Sequence, residues 1–170
     1  MGGPKIFAHG PEGAFCQYIE RTARAVGFPI LWVLSHHDQA ARVESLIGTS
    51  VHYAVNSTVG GDMFSSVVAG SMGLPSGSAA PAIVWPVDFP FVSPPTLAAI
   101  AGGALYADIV KPLYEGRAGH PLLLSRRALA LAVSTVRQQG LRSFFAETTL
   151  SLGFVAVNDP QIHNNINHRQ

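Results

Sequence analysis

The feature that most constrains this chain is an uninterrupted apolar run, residues 82–87, that ends at Asp88. A strand covered on both faces shows no alternation, so the run predicts a buried strand in a largely parallel sheet. Asp88 follows the carboxyl end of that strand, where open α/β sheets place their ligands. Two interpretations of Asp88 stay open: it binds a divalent cation beside phosphates, or it caps the next turn.

Similar apolar runs alternate with helical patterns along the rest of the chain. Further strands are predicted at 29–34, 51–55, 109–114, 121–124 and 152–157. Helices are predicted at 12–26, 38–47, 62–72, 94–105, 126–136 and 141–148, with Asp38 as an N-cap and Gly48 as a helix end. This alternation predicts one α/β domain over residues 1–170, built from βαβ units.

Composition excludes several classes of function. A net charge of +1 without a Lys/Arg stripe argues against nucleic-acid binding. No apolar segment is long enough to span a membrane, and residues 1–5 lack the apolar core of a secretory leader. Cys16 is the only cysteine, which leaves no disulfide framework or zinc cluster. We therefore expect a cytoplasmic protein, and the charged content of 12% favours a homodimer.

Three further segments contain residues suited to chemistry. Residues 56–66 follow a strand, turn through two glycines and open a helix with Ser65 and Ser66, which suits a phosphate but also an ordinary capped loop. Residues 112–121 contain the unusual string Gly116-Arg117-Ala118-Gly119-His120-Pro121, which favours a substrate contact through His120 over an incidental hairpin. Residues 139–142 place Arg142 at a helix start, as a cap or as a phosphate contact.

Taken in order, these segments resemble the nucleotidyltransferases that attach CMP or GMP to molybdopterin. The segment from Val87 to Ser93 resembles the family's metal-binding strand end, and residues 114–121 resemble its substrate segment. Residues 56–70, 139–142 and 165–167 resemble three further family segments, and residues 1–5 resemble the end of the family's Gly-rich signature loop.

The resemblance implies a Rossmann-like three-layer fold of the nucleotide-diphospho-sugar transferase type. It also implies Mg²⁺ as cofactor, an NTP (CTP or GTP) as substrate and a molybdopterin-like acceptor. Asp88 would bind Mg²⁺, with Asn167 as a weaker, neutral ligand at a second metal position, and Lys5 would contact a phosphate. The remaining assignments are Ser65 and Ser66 in the nucleotide pocket, Gly119 and His120 at the acceptor, and Arg142 as a binding residue.

The chain departs from the family pattern at its start, where the first strand and most of the signature loop are missing. We expect an interrupted sheet, a natural protein that begins before Met1, and weak or no transfer by residues 1–170 alone. Asp62, Phe64, Val68 and Asn165 also replace family residues. A non-catalytic binding or partner protein that keeps the fold is therefore the alternative, and transfer to another phosphorylated acceptor, such as a sugar phosphate, is a third.

Overall fold

A computed structural model describes residues 4–75, 78, 80–135 and 140–166. Its strands are β1 His9–Gly10, β2 Gly13–Ala14, β3 Leu31–Leu34, β4 His52–Val55, β5 Ala82–Val84, β6 Ile109–Tyr114, β7 Arg117–Ala118, β8 Leu122–Leu124 and β9 Leu152–Ala156. Its helices are α1 Phe15–Ala25, α2 Asp38–Ile47, α3 Met63–Gly73, α4 Pro94–Gly102, α5 Arg126–Ser134 and α6 Gly140–Ala146. Short 3-10 turns lie at Lys5–Phe7, Gly103–Leu105 and Pro160–His163. None of the described helices is long and apolar enough to cross a membrane.

The strands form a mixed sheet that confirms the predicted α/β fold class. In the five-stranded sheet, β5, β6 and β9 run in one direction, and β8 lies antiparallel between β5 and β6. The short β7 forms a hairpin with β6, and β3 and β4 form a separate parallel pair. Within the described residues no ladder joins the β3–β4 pair to the large sheet. This is the interruption expected of a sheet without the family's first strand.

Helices cover both faces of the large sheet and give three layers. On one face, Ile100 of α4 packs against Val110 and Leu123. On the other face, α3, α5 and α6 pack against β6 and β8; the buried members of this cluster include Phe64, Leu129, Phe144, Ile109, Leu122 and Leu124. Because both faces are covered, most residues of β6 and β8 are apolar, as the uninterrupted runs predict, and Lys111 of β6 is the charged exception.

Side chains, rather than a ladder of hydrogen bonds, connect the β3–β4 pair to the large mixed sheet. Trp32 and Leu34 of β3 lie in one apolar cluster with Ile6 and Phe7, and Trp85, just after β5, packs against it. We call this group the joining cluster. It holds the end of β5 and the chain that follows it against β3, which fixes the position of Asp88.

Several element bounds are predicted wrongly. The helix predicted from residue 12 begins at Phe15, because Gly13–Ala14 form β2. The strand that begins at Ala82 ends at Val84, not Val87, because Pro86 lacks a donor and the chain turns there, with Trp85 Nε1 donating to the carbonyl of Phe89 at 2.8 Å. Asp38 is the first helical residue rather than the N-cap, because His37 already has helical backbone angles. Gly48 ends α2 with a φ of 74°, as predicted.

Candidate functional site

Asp88 contacts residues from both ends of the described chain. Its side chain is only 19% exposed, and Oδ2 lies 3.5 Å from Lys5 Nζ. Asn165 Nδ2 donates to the same oxygen at 3.0 Å. The N–H of Ile166 donates to the main-chain carbonyl of Asp88 at 2.8 Å. The structure therefore brings Lys5 and Asp88 together and adds Asn165 to them.

The donor set around Asp88 fits a divalent cation that phosphates also ligate. Mg²⁺ is usually bound by one or two carboxylates together with substrate phosphates, and Asp88 supplies one such carboxylate. The amide of Asn165 presents Nδ2 to Asp88 and would offer its Oδ1 to a cation only after rotation. Among the described residues, no three His, Cys, Asp or Glu side chains cluster closely enough to hold a metal ion by themselves. Asn167, the predicted second metal position, lies outside the described residues.

The two predicted serines lie at the start of α3, in a network of hydrogen bonds within the loop. Asp62 caps the helix by accepting from the N–H of Ser65 at 2.9 Å. The hydroxyls of Ser65 and Ser66 donate to the carbonyl of Asp62 and accept from Asn56 Nδ2 at 2.9 and 3.0 Å. Ser65 is buried. Both hydroxyls thus stabilise the turn from β4 into α3, next to Met63.

The predicted substrate segment places Gly119 and His120 against the C-terminal part of the chain. A side chain on Gly119 would overlap the carbonyl oxygen and side chain of Ile162, so only glycine fits. The N–H of His120 donates to that same carbonyl at 3.0 Å. The imidazole lies 4.9 Å from the ring of Phe89, centroid to centroid, and so stands beside the residue that follows Asp88.

His120 has a buried polar atom in its imidazole ring. Its Nδ1 has no hydrogen-bond partner among the described residues. Burial lowers the pKa of His120, Lys111 lowers it further, and Asp88 opposes both effects. The imidazole is therefore neutral at pH 7 and can accept or donate one hydrogen bond at Nδ1, according to its tautomer.

His120 and Arg142 line one cleft of about 520 Å³ between α6 and the large sheet. Its floor and walls are mostly apolar, and the other lining residues are Met63, Ile109, Lys111, Leu122, Leu141, Phe145, Ala146, Leu150 and Leu152. The volume and the apolar lining with a few polar groups are typical of a small-molecule site. The structure thus joins two predicted residues that lie far apart in the sequence, and it adds Lys111.

The short segment of residues 159–166, which we call the tail, is anchored by one buried carboxylate. Oδ2 of Asp159 accepts from the N–H and hydroxyl of Ser93 and from the hydroxyl of Thr96 at 2.8–2.9 Å, and Oδ1 accepts from the N–H of Gln161 at 3.0 Å. Burial alone would raise the pKa of Asp159, but these hydrogen bonds outweigh it and hold the pKa below its ordinary value. Ser93 stands at the start of α4, where its hydroxyl donates to Asp159 instead of capping the helix.

Comparison with protein families shows which family the chain belongs to. The model of the MobA-like NTP transferase domain matches residues 1–152, which is most of the chain. The chain belongs to the MobA-like NTP transferase family. It is therefore an NTP transferase domain, and the predicted resemblance is confirmed. No curated protein matches the chain.

Solved structures of the same fold are similar to this NTP transferase domain. Rv0371c from Mycobacterium tuberculosis H37Rv is 21% identical with a TM-score of 0.73, over 92% of this chain and 80% of that one. Its complex with manganese gives 20% identity and a TM-score of 0.70, over 91% and 81% of the two chains.

Two other neighbours have names that state a biosynthetic role. The 4-diphosphocytidyl-2C-methyl-D-erythritol synthase from Anaerococcus prevotii DSM 20548 is 11% identical with a TM-score of 0.73, over 96% of this chain and 88% of that one. The molybdopterin-guanine dinucleotide biosynthesis protein A from Archaeoglobus fulgidus is 14% identical with a TM-score of 0.57, over 90% and 75%. At these identities the likeness shows the fold.

Sequence reasoning assigned no site role to three residues that the structure places in the candidate site or behind it. Lys111 lies in the cleft, Asn165 contacts Asp88, and Asp159 anchors the tail. Lys111 had a readable signal, since it is the one charged residue in the strand run 109–114. Asp159 had none, because its partners Ser93 and Thr96 are distant in the sequence.

Proposed function

We propose that this domain is a nucleotidyltransferase for the transfer of CMP or GMP from an NTP to molybdopterin or a similar phosphorylated acceptor, with weak or no transfer expected of residues 1–170 alone. The observation that carries the proposal is the place of Asp88 and Lys5. They contact each other beside Phe89, whose ring packs on His120 at the border of the cleft. A carboxylate and an ammonium group thus stand next to a cavity suited to a small acceptor. Membership of the NTP transferase family supports the donor.

In the proposed reaction, an oxygen of the acceptor phosphate attacks the α-phosphorus of the NTP. The bond from that phosphorus to the bridging oxygen of the β-phosphate breaks, and pyrophosphate leaves with that oxygen. Mg²⁺, when bound, neutralises charge on the phosphates. The acceptor phosphate is already ionised at neutral pH, so the chain needs to supply positions and charge rather than a general base.

Six of the predicted residues have a stated task in this proposal. Asp88 would bind the cation that the triphosphate also binds, and Lys5 would contact a phosphate oxygen as a point charge. Ser65 and Ser66 shape the nucleotide pocket through the turn that they stabilise. Gly119 lets the substrate segment approach Ile162, and His120 offers Nδ1 to the acceptor.

Calorimetry with CTP and with GTP, each in the presence and absence of MgCl₂, tests the proposal. We expect one of the two nucleotides to bind only with Mg²⁺, and Asp88→Asn to weaken that binding about tenfold or more, because the carboxylate that shares the cation is lost. Asp38→Asn removes the same charge from an exposed position on α2 and is the matched control. Pyrophosphate release in the presence of molybdopterin then measures transfer.

The alternative is a binding or partner protein that keeps the fold without catalysis. The occupied hydroxyls of Ser65 and Ser66 favour it, because both are committed to the loop itself. Under this alternative, neither nucleotide binds in calorimetry, with or without Mg²⁺, and Asp88→Asn has no effect.

A further inference from the structure

A second group of positive charges lies in the cleft, away from the contact between Lys5 and Asp88. Lys111 enters it from β6 and Arg142 from α6. None of the described lining residues is acidic. Over the described ranges of the chain, neither Lys111 nor Arg142 forms an ion pair. The cleft thus combines two uncompensated cations with an apolar lining.

Lys111 is a half-buried cation on an otherwise apolar face of β6. Lys111 lies on the same face of β6 as the buried Ile109, and its register partner on β9 is Phe154. Its ammonium group stands 5.5 Å from the ring centroid of Phe145, a cation–π contact within the cleft wall. A half-buried lysine on an apolar sheet face loses hydration, and that contact replaces only part of it.

The cleft borders the residues to which the proposed function assigns the NTP. His120 lines the cleft and packs on Phe89, the residue after Asp88. A ligand held by Lys111 and Arg142 would therefore share a wall with the NTP site. Its body would rest on apolar residues such as Leu122 and Leu152.

We infer that Lys111 is a specificity-determining residue that, together with Arg142, seats a doubly charged phosphate monoester in the cleft. The inference rests on the proposed function, because it takes the cleft as the acceptor site. Arginine binds phosphate through paired donors, and a second cation beside it strengthens binding of a dianion more than of a monoanion. The cleft would thus select acceptors by charge and accommodate an apolar or aromatic body.

Two small aromatic probes test the inference without nucleotide or Mg²⁺. Phenyl phosphate is a dianion at pH 8, and methyl phenyl phosphate is a monoanion of similar shape. Calorimetry measures their affinities, and ¹⁵N–¹H correlation spectra locate them. We expect phenyl phosphate to bind about tenfold more tightly than the diester and to shift the amides of α6.

Substitutions assign the preference to Lys111. Lys111→Met is expected to remove the preference for the dianion, and Lys111→Arg is expected to retain most of it, since the charge remains. Arg126→Met removes one positive charge at an exposed position on α5 outside the cleft, and it should leave both affinities unchanged. The spectra of the unliganded variants report whether each one is folded.

The inference is overturned if phenyl phosphate does not bind the wild-type chain, if Lys111→Met keeps the preference, or if the shifts avoid α6. Its failure can be told from failure of the proposed function. If the preference for the dianion does not depend on Lys111 but CTP or GTP still binds with Mg²⁺, only the cleft inference is refuted. A Lys111-dependent dianion site in a chain that binds no nucleotide refutes the proposed transfer and leaves an anion-binding cleft.

Discussion

Asp88 is held at the residue scale by contacts that also define its electrostatic surroundings. Lys5 Nζ lies 3.5 Å from one oxygen, and Asn165 donates to the same oxygen. Both donors contact Oδ2 of a carboxylate that is mostly shielded from water. A cation that arrives with a triphosphate would compete with them, and rotation of the Asn165 amide would turn its Oδ1 toward that cation.

A single substitution tests this arrangement. Asn165→Asp places a second carboxylate beside Asp88, and because two carboxylates repel without a cation, we expect tighter binding of Mn²⁺ alone, by about tenfold. Electron paramagnetic resonance of unbound Mn²⁺ measures the change.

The neighbouring residue offers a matched control. Asn164→Asp makes the same charge change at an exposed side chain that donates to Gln161 Oε1 rather than to Asp88. Equal Mn²⁺ affinities for the two variants would show that Asn165 does not stand at the cation site.

At the scale of elements, the tail holds the substrate segment in place. Ile162 is buried under Gly119, and its carbonyl accepts from the N–H of His120. His163 Nε2 lies 3.0 Å from the carbonyl of Arg117 in β7. The tail therefore connects the hairpin of β6 and β7 to the segment that carries Asp88.

The close approach at Gly119 predicts a large effect of a small substitution. Gly119→Ala forces a methyl group into the carbonyl of Ile162, so the tail or the hairpin must shift, and we expect a loss of about 1–3 kcal/mol in the free energy of unfolding. Urea denaturation measures it. Gly102→Ala, where nothing lies within 4 Å of an added methyl group, should not lower the stability. Similar losses in both variants would contradict the packing described.

Asp159 makes the anchoring of the tail dependent on pH. Its pKa is lowered in the folded state, so ionised Asp159 contributes stability above the unfolded pKa of about 3.9. That contribution is lost as pH falls through the folded pKa. We expect Asp159→Asn to lower the free energy of unfolding by about 2 kcal/mol at pH 7, with a smaller difference from wild type below pH ~4.

Urea denaturation across pH measures this difference. Asp38→Asn, on the exposed face of α2, should show little loss at any pH. A difference for Asp159→Asn that stays constant into acid would contradict the account of the hydrogen bonds from Ser93 and Thr96.

At the scale of the whole molecule, we expect the joining cluster to make the β3–β4 pair and the large sheet unfold together. Trp32 belongs to β3, Trp85 follows β5, and both pack in this cluster. We propose that residues 1–170 form one cooperative domain, so the loss of tryptophan burial and the loss of helix should coincide on unfolding. Fluorescence and far-ultraviolet circular dichroism in the same urea series check this. Two separate midpoints would show that the β3–β4 part unfolds independently.

The sequence predicts the elements better than it predicts their contacts. Apolar runs locate β3, β6 and β9 because an apolar strand leaves a local composition signal, which persists in β9 even though its Leu152 and Phe154 are half-exposed. The sequence predicts the end of β5 too late in the chain, because the apolar run continues through Trp85 into the joining cluster. Apolar character alone does not separate a strand from a packed turn.

For the candidate site too, the sequence predicts single residues better than the contacts between them. Asp88, His120 and Arg142 were predictable, because each stands in an unusual local string or at an element end. The contact of Asn165 with Asp88 depends on how the tail folds back, over a separation of 77 residues. No local pattern encodes such a contact. The pairing of Lys111 with Arg142 in one cleft likewise requires the packing of α6 on the sheet.

The position of the cation tests the central claim most directly. Crystals grown with Mn²⁺ and a non-hydrolysable CTP or GTP analogue would show the metal by its anomalous scattering. We predict a peak at coordination distance, about 2.0–2.2 Å, from a carboxylate oxygen of Asp88 and shared with the triphosphate. A cation bound to the nucleotide but remote from Asp88 would contradict the account.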